Sequence, residues 1–169
     1  AERNFPIADL KLLASERSHG KKINYQGKEY TVEATTENSF AGLDLVFFAG
    51  GSASKAYAQP AVDAGAVVID NSSTFRYDPE VPLVVPEVNP EDVRWHKGII
   101  ANPNCSTIQM VVALKPLHDA GVIKRLIVST YQAVSGAGKE AIDELTDQVS
   151  SIVKGEEAVA KVFPYQIAF

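Results

Sequence analysis

The single cysteine of the chain, Cys105, lies between an apolar run and a segment with helical character. Residues 98–101 predict a short buried strand, residues 102–104 end it, and Ser106 or Thr107 is a suitable N-cap for the following helix. We therefore expect Cys105 at a helix N-terminus, where backbone N–H groups and the helix dipole favour thiolate over thiol. Such a thiolate is a nucleophile, and the same N–H groups can hold an oxyanion. The alternative is a cysteine that only packs.

A second chemical candidate is an arginine between two serines, just after a predicted strand at residues 10–14. In nucleotide-binding α/β domains an acidic residue at this point suits a ribose 2′-hydroxyl, and an arginine suits a 2′-phosphate. Arg17, flanked by Ser15 and Ser18, offers forked charge-assisted donors and hydroxyls, which favours NADP. Glu16 leaves NAD open, and a solvated polar loop is the structural alternative.

Two further polar loops follow apolar runs at residues 43–49 and 66–70. Both runs are typical of strands covered on both faces of a parallel sheet, where ligands bind at the carboxyl ends. The first loop contains Gly51 and Ser52, and its glycines allow a cofactor to approach the backbone. A turn with a serine N-cap for a helix over residues 55–64 explains that loop equally well. The second loop ends at Arg76, and most arginines are simply exposed.

The remaining patterns predict elements without assigned chemistry. Residues 23–33 predict a hairpin or a pair of edge strands, and Pro116 predicts a kink or restart in the helix after Cys105. Residues 125–134 predict a long strand that opens a second sheet, and residues 165–169 predict another strand. Residues 139–153 predict an amphipathic helix. Its expected packing face consists of Ala141, Ile142, Leu145, Val149 and Ile152.

Composition restricts the class of function. The chain has 169 residues, a formal net charge of -5 and a pI near 5.2, so we expect no nucleic-acid partner. No apolar run approaches the length of a membrane span, and we expect no metal site. One cysteine allows no internal disulfide and is typical of a reducing compartment, so we expect a cytoplasmic protein.

Two motifs carry a resemblance to a known family. The sequence NPNCSTIQ at residues 102–109 closely resembles the nucleophile motif of aspartate-semialdehyde dehydrogenase. The sequence STYQAVSGAG at residues 129–138 is similar to the segment that follows in that family, at the same spacing. Other thiol-dependent reductases carry different residues around their cysteine, and the resemblance extends over essentially the whole chain.

The resemblance implies an α/β fold of two parts. Residues 1–104 are expected to form a Rossmann-like, parallel-sheet NADP-binding domain, and residues 105–169 the beginning of an α+β catalytic and dimerisation domain. The family has its first strand and glycine-rich phosphate-binding turn upstream of the segment matching residues 1–6. We therefore expect both to be missing from this sequence. The family forms dimers or tetramers, so a homodimer or homotetramer is expected of the complete protein.

The resemblance also implies a reaction, the reversible reductive dephosphorylation of aspartyl phosphate to aspartate semialdehyde and inorganic phosphate. This reaction belongs to lysine, methionine and threonine biosynthesis. Cys105 is the implied nucleophile, Gln132 positions the substrate, and Arg76 and Asn104 bind the substrate phosphate. The implied NADP-binding residues are Ser15, Arg17, Ser18, Gly51, Ser52, Ser135 and Gly136.

The reaction needs a general acid/base, and none of the three histidines, His19, His96 and His118, matches the family's catalytic histidine. In the family that histidine lies in a half that would follow Phe169, so we expect this chain alone to be inactive. Two other functions stay open. A reactive cysteine alone also allows a thiol hydrolase or acyltransferase that needs no nucleotide, and an unreactive cysteine would indicate a non-catalytic module that keeps the fold for binding or assembly.

Overall fold

The computed structural model describes residues 5–168, which divide into two compact units. The first unit ends at Ile123, and the second begins at Lys124. The expected division into residues 1–104 and 105–169 stays a prediction. All strands formed by the described residues belong to the first unit.

A mixed sheet opens the first unit. It contains β1 (Leu12–Ala14), β2 (Lys22–Tyr25) and β3 (Lys28–Ala34) in the order β1-β3-β2, with β1 parallel and β2 antiparallel to β3. The predicted hairpin is confirmed as β2 and β3. Its two turn residues, Gln26 and Gly27, have φ values of 50° and 79°, as a two-residue type I′ turn requires.

The first unit also contains a second, fully parallel sheet. It consists of β4 (Leu45–Phe48), β5 (Val67–Asp70) and β6 (Ile99–Ala101), in that order. The helix α1 (Gly51–Asp63) connects β4 to β5. Parallel strands need such a crossover, and their carboxyl ends all meet at one edge of the sheet.

The core lies between this sheet and α1. Val46, Phe48 and Val68 point to the helix and pack against Ala58 and Ala61. The prediction that both faces of the sheet are covered is wrong within the described residues. The intervening side chains of Leu45 and Phe47 are 40% and 66% exposed, because α1 packs on the other face.

Neither helix of the first unit is capped by the residue predicted. The helix α1 starts at Gly51, four residues before the predicted start, with Gly50 as its N-cap. The helix α2 (Cys105–Gly121) is capped by Asn104, and not by Ser106 or Thr107. It also continues through Pro116 as one element, so the predicted restart is wrong, whereas the predicted kink stays a prediction.

The second unit contains one α-helix, α3 (Lys139–Lys154), among its described residues. The strand predicted at residues 125–134 is wrong: residues 122–133 form no regular element, and Ile127 is 86% exposed. A strand needs a neighbour for its backbone groups, and no described strand pairs with this segment. Residues 165–168 are also irregular, and Phe169 lies outside the described residues.

The packing face of α3 differs from the predicted one. Its buried residues are Ala141, Glu144 and Gln148, whereas Ile142 and Val149 are exposed. Glu144 accepts hydrogen bonds from the backbone N–H groups of Lys161 and Val162. Gln148 Oε1 accepts from Ile167 N at 2.8 Å and from Ala168 N at 3.0 Å. The helix therefore buries polar side chains because they satisfy the backbone of the segment that follows.

No helix among residues 5–168 has the length and apolar character needed to cross a membrane.

Candidate active site

Cys105 is the first residue of α2 and is exposed, as the sequence predicted. The Asn104 side chain shapes this helix start. Its Oδ1 accepts hydrogen bonds from Ser106 N at 3.0 Å and Ser106 Oγ at 2.6 Å, and it lies 3.8 Å from Cys105 Sγ. The thiol is thus held at the carboxyl end of β6, with an amide group beside it.

Arg76 lies at the same edge of the sheet, in the loop after β5. Its Nε donates to the Asn102 carbonyl at 2.9 Å, and its Nη2 donates to the Asn71 carbonyl at 3.3 Å. Asn102 is three residues before Cys105, so Arg76 and the nucleophile loop are joined directly. A guanidinium has five N–H donors, and these contacts leave others for an anion.

The loop after β4 carries the predicted cofactor residues Gly51 and Ser52 at the first turn of α1. Gly50, the N-cap, provides no side-chain acceptor for the first N–H groups of the helix. Thr74, from the Arg76 loop, donates its hydroxyl to the Gly51 carbonyl at 3.2 Å. The two polar loops that the sequence placed at strand ends are therefore neighbours.

Sequence reasoning missed Asp70, the last residue of β5. Its side chain is fully buried and accepts hydrogen bonds from Ser54 of α1 and from Ser72 of the Arg76 loop. The available signal was an acidic residue at the end of an apolar strand, followed directly by serines.

Sequence reasoning also missed Asn102. Its backbone N–H donates to the Asp70 carbonyl at 3.1 Å, and its carbonyl accepts from Arg76. Its side-chain Oδ1 is buried, and no described residue donates to it. A buried carbonyl oxygen that accepts no hydrogen bond destabilises the fold by about 1–3 kcal/mol. A hydrogen bond from a bound group to this atom would therefore be favourable.

The predicted adenosine-ribose loop follows β1. Ser15 is the N-cap of a short 3₁₀ helix, Glu16–Ser18, and Ser18 N donates to Ser15 O at 2.8 Å. Arg17 and Ser15 are exposed, whereas Ser18 is half-buried. The loop is a tight turn that presents the guanidinium to solvent.

Three predicted site residues belong to the second unit. Gln132 is exposed in the irregular segment, and its Oε1 accepts from Thr130 Oγ1 at 3.3 Å. Ser135 and Gly136 lie in a 3₁₀ helix, Val134–Ala137, and are also exposed. Their predicted roles stay predictions.

The three histidines all use Nδ1 to accept a backbone N–H. His19 accepts from Ala34, His96 accepts from Gly98, and His118 accepts from Ile123, at 3.1, 3.0 and 3.2 Å. These contacts fix local turns and loops. None of the three is joined by a hydrogen bond in the described structure to Cys105, Arg76 or Asn104.

The first unit thus has the architecture of a nucleotide-binding α/β domain with a thiol and an arginine at the ligand-binding edge of its sheet. Residues 1–96 match the family described as "Semialdehyde dehydrogenase, NAD binding domain", and residues 114–169 match "Semialdehyde dehydrogenase, dimerisation domain". The chain belongs to the semialdehyde dehydrogenase family.

Curated relatives and solved structures agree with this assignment. The aspartate-semialdehyde dehydrogenase of Aquifex aeolicus is 62% identical over 173 residues, covering 99% of this chain and 51% of the relative. The crystal structure of aspartate semialdehyde dehydrogenase II complexed with ASA from Vibrio cholerae has a TM-score of 0.85 at 50% identity. That alignment covers 99% of this chain and 51% of the Vibrio chain.

A structure of aspartate semialdehyde dehydrogenase with NADP from Candida albicans matches at 30% identity and a TM-score of 0.55. It covers 67% of this chain and 40% of the Candida chain. The chain therefore spans about half the length of the relatives that it matches.

Proposed function

We propose that the complete protein is an NADP-dependent aspartate-semialdehyde dehydrogenase, which interconverts aspartyl phosphate and aspartate semialdehyde in the synthesis of lysine, methionine and threonine. The observation that carries this proposal is the direct hydrogen bond from Arg76 to the backbone of the Cys105 loop. An acyl phosphate needs a nucleophile for its carbonyl carbon and a cation for its phosphate, and the loop supplies both together.

The proposed chemistry begins at Cys105. Its thiolate attacks the acyl carbon, the carbon–oxygen bond to the phosphate breaks, and inorganic phosphate leaves with its charge balanced by Arg76. The N–H groups at the start of α2 stabilise the oxyanion of the tetrahedral intermediate. Asn104 lies beside the thiol and binds the phosphate, while Gln132 orients the acyl group.

Bound NADPH supplies the hydride that converts the resulting thioester to the semialdehyde level. Residues of the first unit suit such a group. The uncapped first turn of α1, at Gly51 and Ser52, offers backbone donors at the carboxyl end of β4. Ser15, Arg17 and Ser18 bind the 2′-phosphate, and Ser135 and Gly136 contact the nicotinamide half. The reaction also needs a general acid/base, and no described residue is assigned that role.

The match to a dimerisation domain supports a homodimer or homotetramer of the complete protein. A cytoplasmic location is proposed because a nucleophilic thiol must stay reduced between turnovers.

The test is phosphate-dependent NADP reduction by the complete protein with aspartate semialdehyde as substrate. We expect activity that requires semialdehyde, phosphate and NADP together. Cys105→Ala should lower kcat by about 10⁴-fold, because it removes the atom that forms the thioester.

Cys105→Ser provides the matched comparison, since it keeps the size of the side chain and exchanges sulfur for a much weaker nucleophile. It should be nearly as inactive. Full activity of Cys105→Ala, or hydrolysis of thioesters without nucleotide, would contradict the proposal and favour a thiol hydrolase.

A further inference from the structure

A buried carboxylate organises the two loops of the proposed site. Asp70 is 0% exposed, and each of its oxygens has a donor. Oδ1 accepts from Ser54 Oγ at 2.6 Å and from Ser72 N at 3.1 Å, while Oδ2 accepts from Ser72 Oγ at 2.9 Å. Ser54 belongs to the second turn of α1, and Ser72 belongs to the loop that leads to Arg76.

The hydroxyls of Ser54 and Ser72 both donate to the carboxylate oxygens of Asp70. The oxygen of Ser72 then accepts from Thr74 N at 3.1 Å, and the Thr74 hydroxyl donates to Gly51 O at 3.2 Å. A continuous chain of hydrogen bonds therefore runs from Asp70 through the Arg76 loop to the first turn of α1.

This series of hydrogen bonds connects the two proposed binding elements. Gly51 begins the helix proposed to face the dinucleotide, and Thr74 is two residues before Arg76. The backbone carbonyl of Asp70 also accepts from Asn102 N, so the Cys105 loop is fixed at the same residue. One buried side chain and its backbone thus connect the loops after β4, β5 and β6.

We propose that Asp70 is a positioning residue that holds the Arg76 loop and the first turn of α1 in one fixed arrangement, so that phosphate and dinucleotide are bound together. This inference rests on the proposed function. Asp70 acts through Ser72 and Thr74 and does not itself contact the substrate.

The test is steady-state kinetics of the complete protein with phosphate and NADP varied in turn. Asp70→Ala should raise the KM for phosphate about tenfold and the KM for NADP in the same direction, with kcat reduced less. Asp70→Asn should stay within about twofold of the wild type, because its oxygen still accepts from Ser54 and Ser72 N and its amide can donate to Ser72 Oγ.

A second variant keeps the test valid if Asp70→Ala fails to fold. Thr74→Val removes the exposed hydroxyl that contacts both Ser72 Oγ, at 2.9 Å, and Gly51 O, at 3.2 Å, and it keeps the shape of the side chain nearly constant. It should raise both KM values about threefold at an unchanged unfolding temperature.

Glu144→Ala is the matched control, since Glu144 is a buried, multiply hydrogen-bonded carboxylate in the other compact unit. It should lower the unfolding temperature and leave the KM for phosphate unchanged. An equal rise in that KM for Glu144→Ala, or a fall in kcat alone for Asp70→Ala and Thr74→Val, would overturn the positioning role. A wild-type protein without phosphate-dependent activity would instead refute the proposed function.

Discussion

Arg17 and Glu16 occupy adjacent positions in the turn after β1, and they favour opposite cofactors. Both are exposed at the end of a strand that lies parallel to β3. An arginine pairs with the 2′-phosphate of NADP through charge-assisted hydrogen bonds, whereas a carboxylate accepts from the ribose hydroxyls of NAD. Under the proposed function, we expect the choice between the cofactors to depend on which of these two side chains reaches the ribose.

We expect Arg17→Ala to raise the KM for NADP about 10- to 100-fold and to leave the KM for NAD nearly unchanged. The reason is the loss of hydrogen bonds to a charged group, which are worth about 1.5–3 kcal/mol. Arg94→Ala is the matched control, because Arg94 is also exposed in a 3₁₀ helix of the same unit. Equal losses with NADP and NAD would contradict recognition of the 2′-phosphate by Arg17, and a wild-type preference for NAD would favour Glu16 as the residue that determines specificity.

At the scale of elements, β6 is packed against α1 at a position where only glycine fits. Gly98, just before β6, has a φ of +106°, and a Cβ there would lie 2.5 Å from Val62 Cγ1 of α1. Its carbonyl also accepts from Val68 N at 2.8 Å, which begins the pairing of β5 with β6. The close approach of Gly98 to α1 therefore helps to set the register between β5 and β6, and β6 leads to Cys105.

We expect Gly98→Ala to destabilise the protein by about 2–5 kcal/mol, as the sum of a left-handed backbone and an overpacked contact. Gly65→Ala is the control, because Gly65 has a φ of +96° but no atom within 4 Å of a Cβ. It should cost only about 1–2 kcal/mol. The measurement is chemical unfolding of both variants.

The clash with Val62 gives a further check. In the double variant Gly98→Ala, Val62→Ala, part of the stability lost by the single variants should return. Strictly additive free energies of unfolding would show that the backbone conformation alone explains the cost.

At the scale of the whole chain, the two units are stabilised differently. The first has an apolar core between a parallel sheet and α1. The second depends on side chains of α3 that hydrogen-bond the backbone of residues 159–168. Burial raises the pKa of the Glu144 carboxyl, whereas backbone N–H donors at three successive residues and the charge of Lys161 lower it by more. The net pKa of Glu144 therefore lies below its ordinary value of 4.5.

A lowered pKa in the folded state means that ionised Glu144 stabilises the fold above pH 4.5, and that this contribution is lost as the pH falls through the lowered pKa. We therefore expect Glu144→Gln to lower the unfolding temperature at neutral pH, because its amide places a donor against backbone donors. The difference from the wild type should shrink below pH 4.5. Glu157→Gln, an exposed glutamate in the same unit, should have no effect at either pH. A difference between Glu144→Gln and the wild type that is independent of pH would mean that the charge of Glu144 does not contribute.

The sequence by itself predicted the candidate site residues and most elements of the first unit. A cysteine after an Asn-Pro-Asn break, apolar runs that end in polar loops, and a Gln-Gly turn are local signals, so the helix N-terminus at Cys105 and the β2–β3 hairpin were predictable. The cap of α2 was assigned to the wrong residue because Asn104 and Ser106 are both good N-caps, and only the backbone geometry separates them.

Only the tertiary structure decided which distant residues act together. The hydrogen bonds from Arg76 to Asn102 and from Ser54 to Asp70 join residues 26 and 16 positions apart, and no local pattern encodes such pairs. It also decided that residues 122–133 stay irregular and that α3 buries Glu144 and Gln148. The physical reason is that a strand or a packing face depends on the partner available to it, which a side-chain pattern along one segment does not contain.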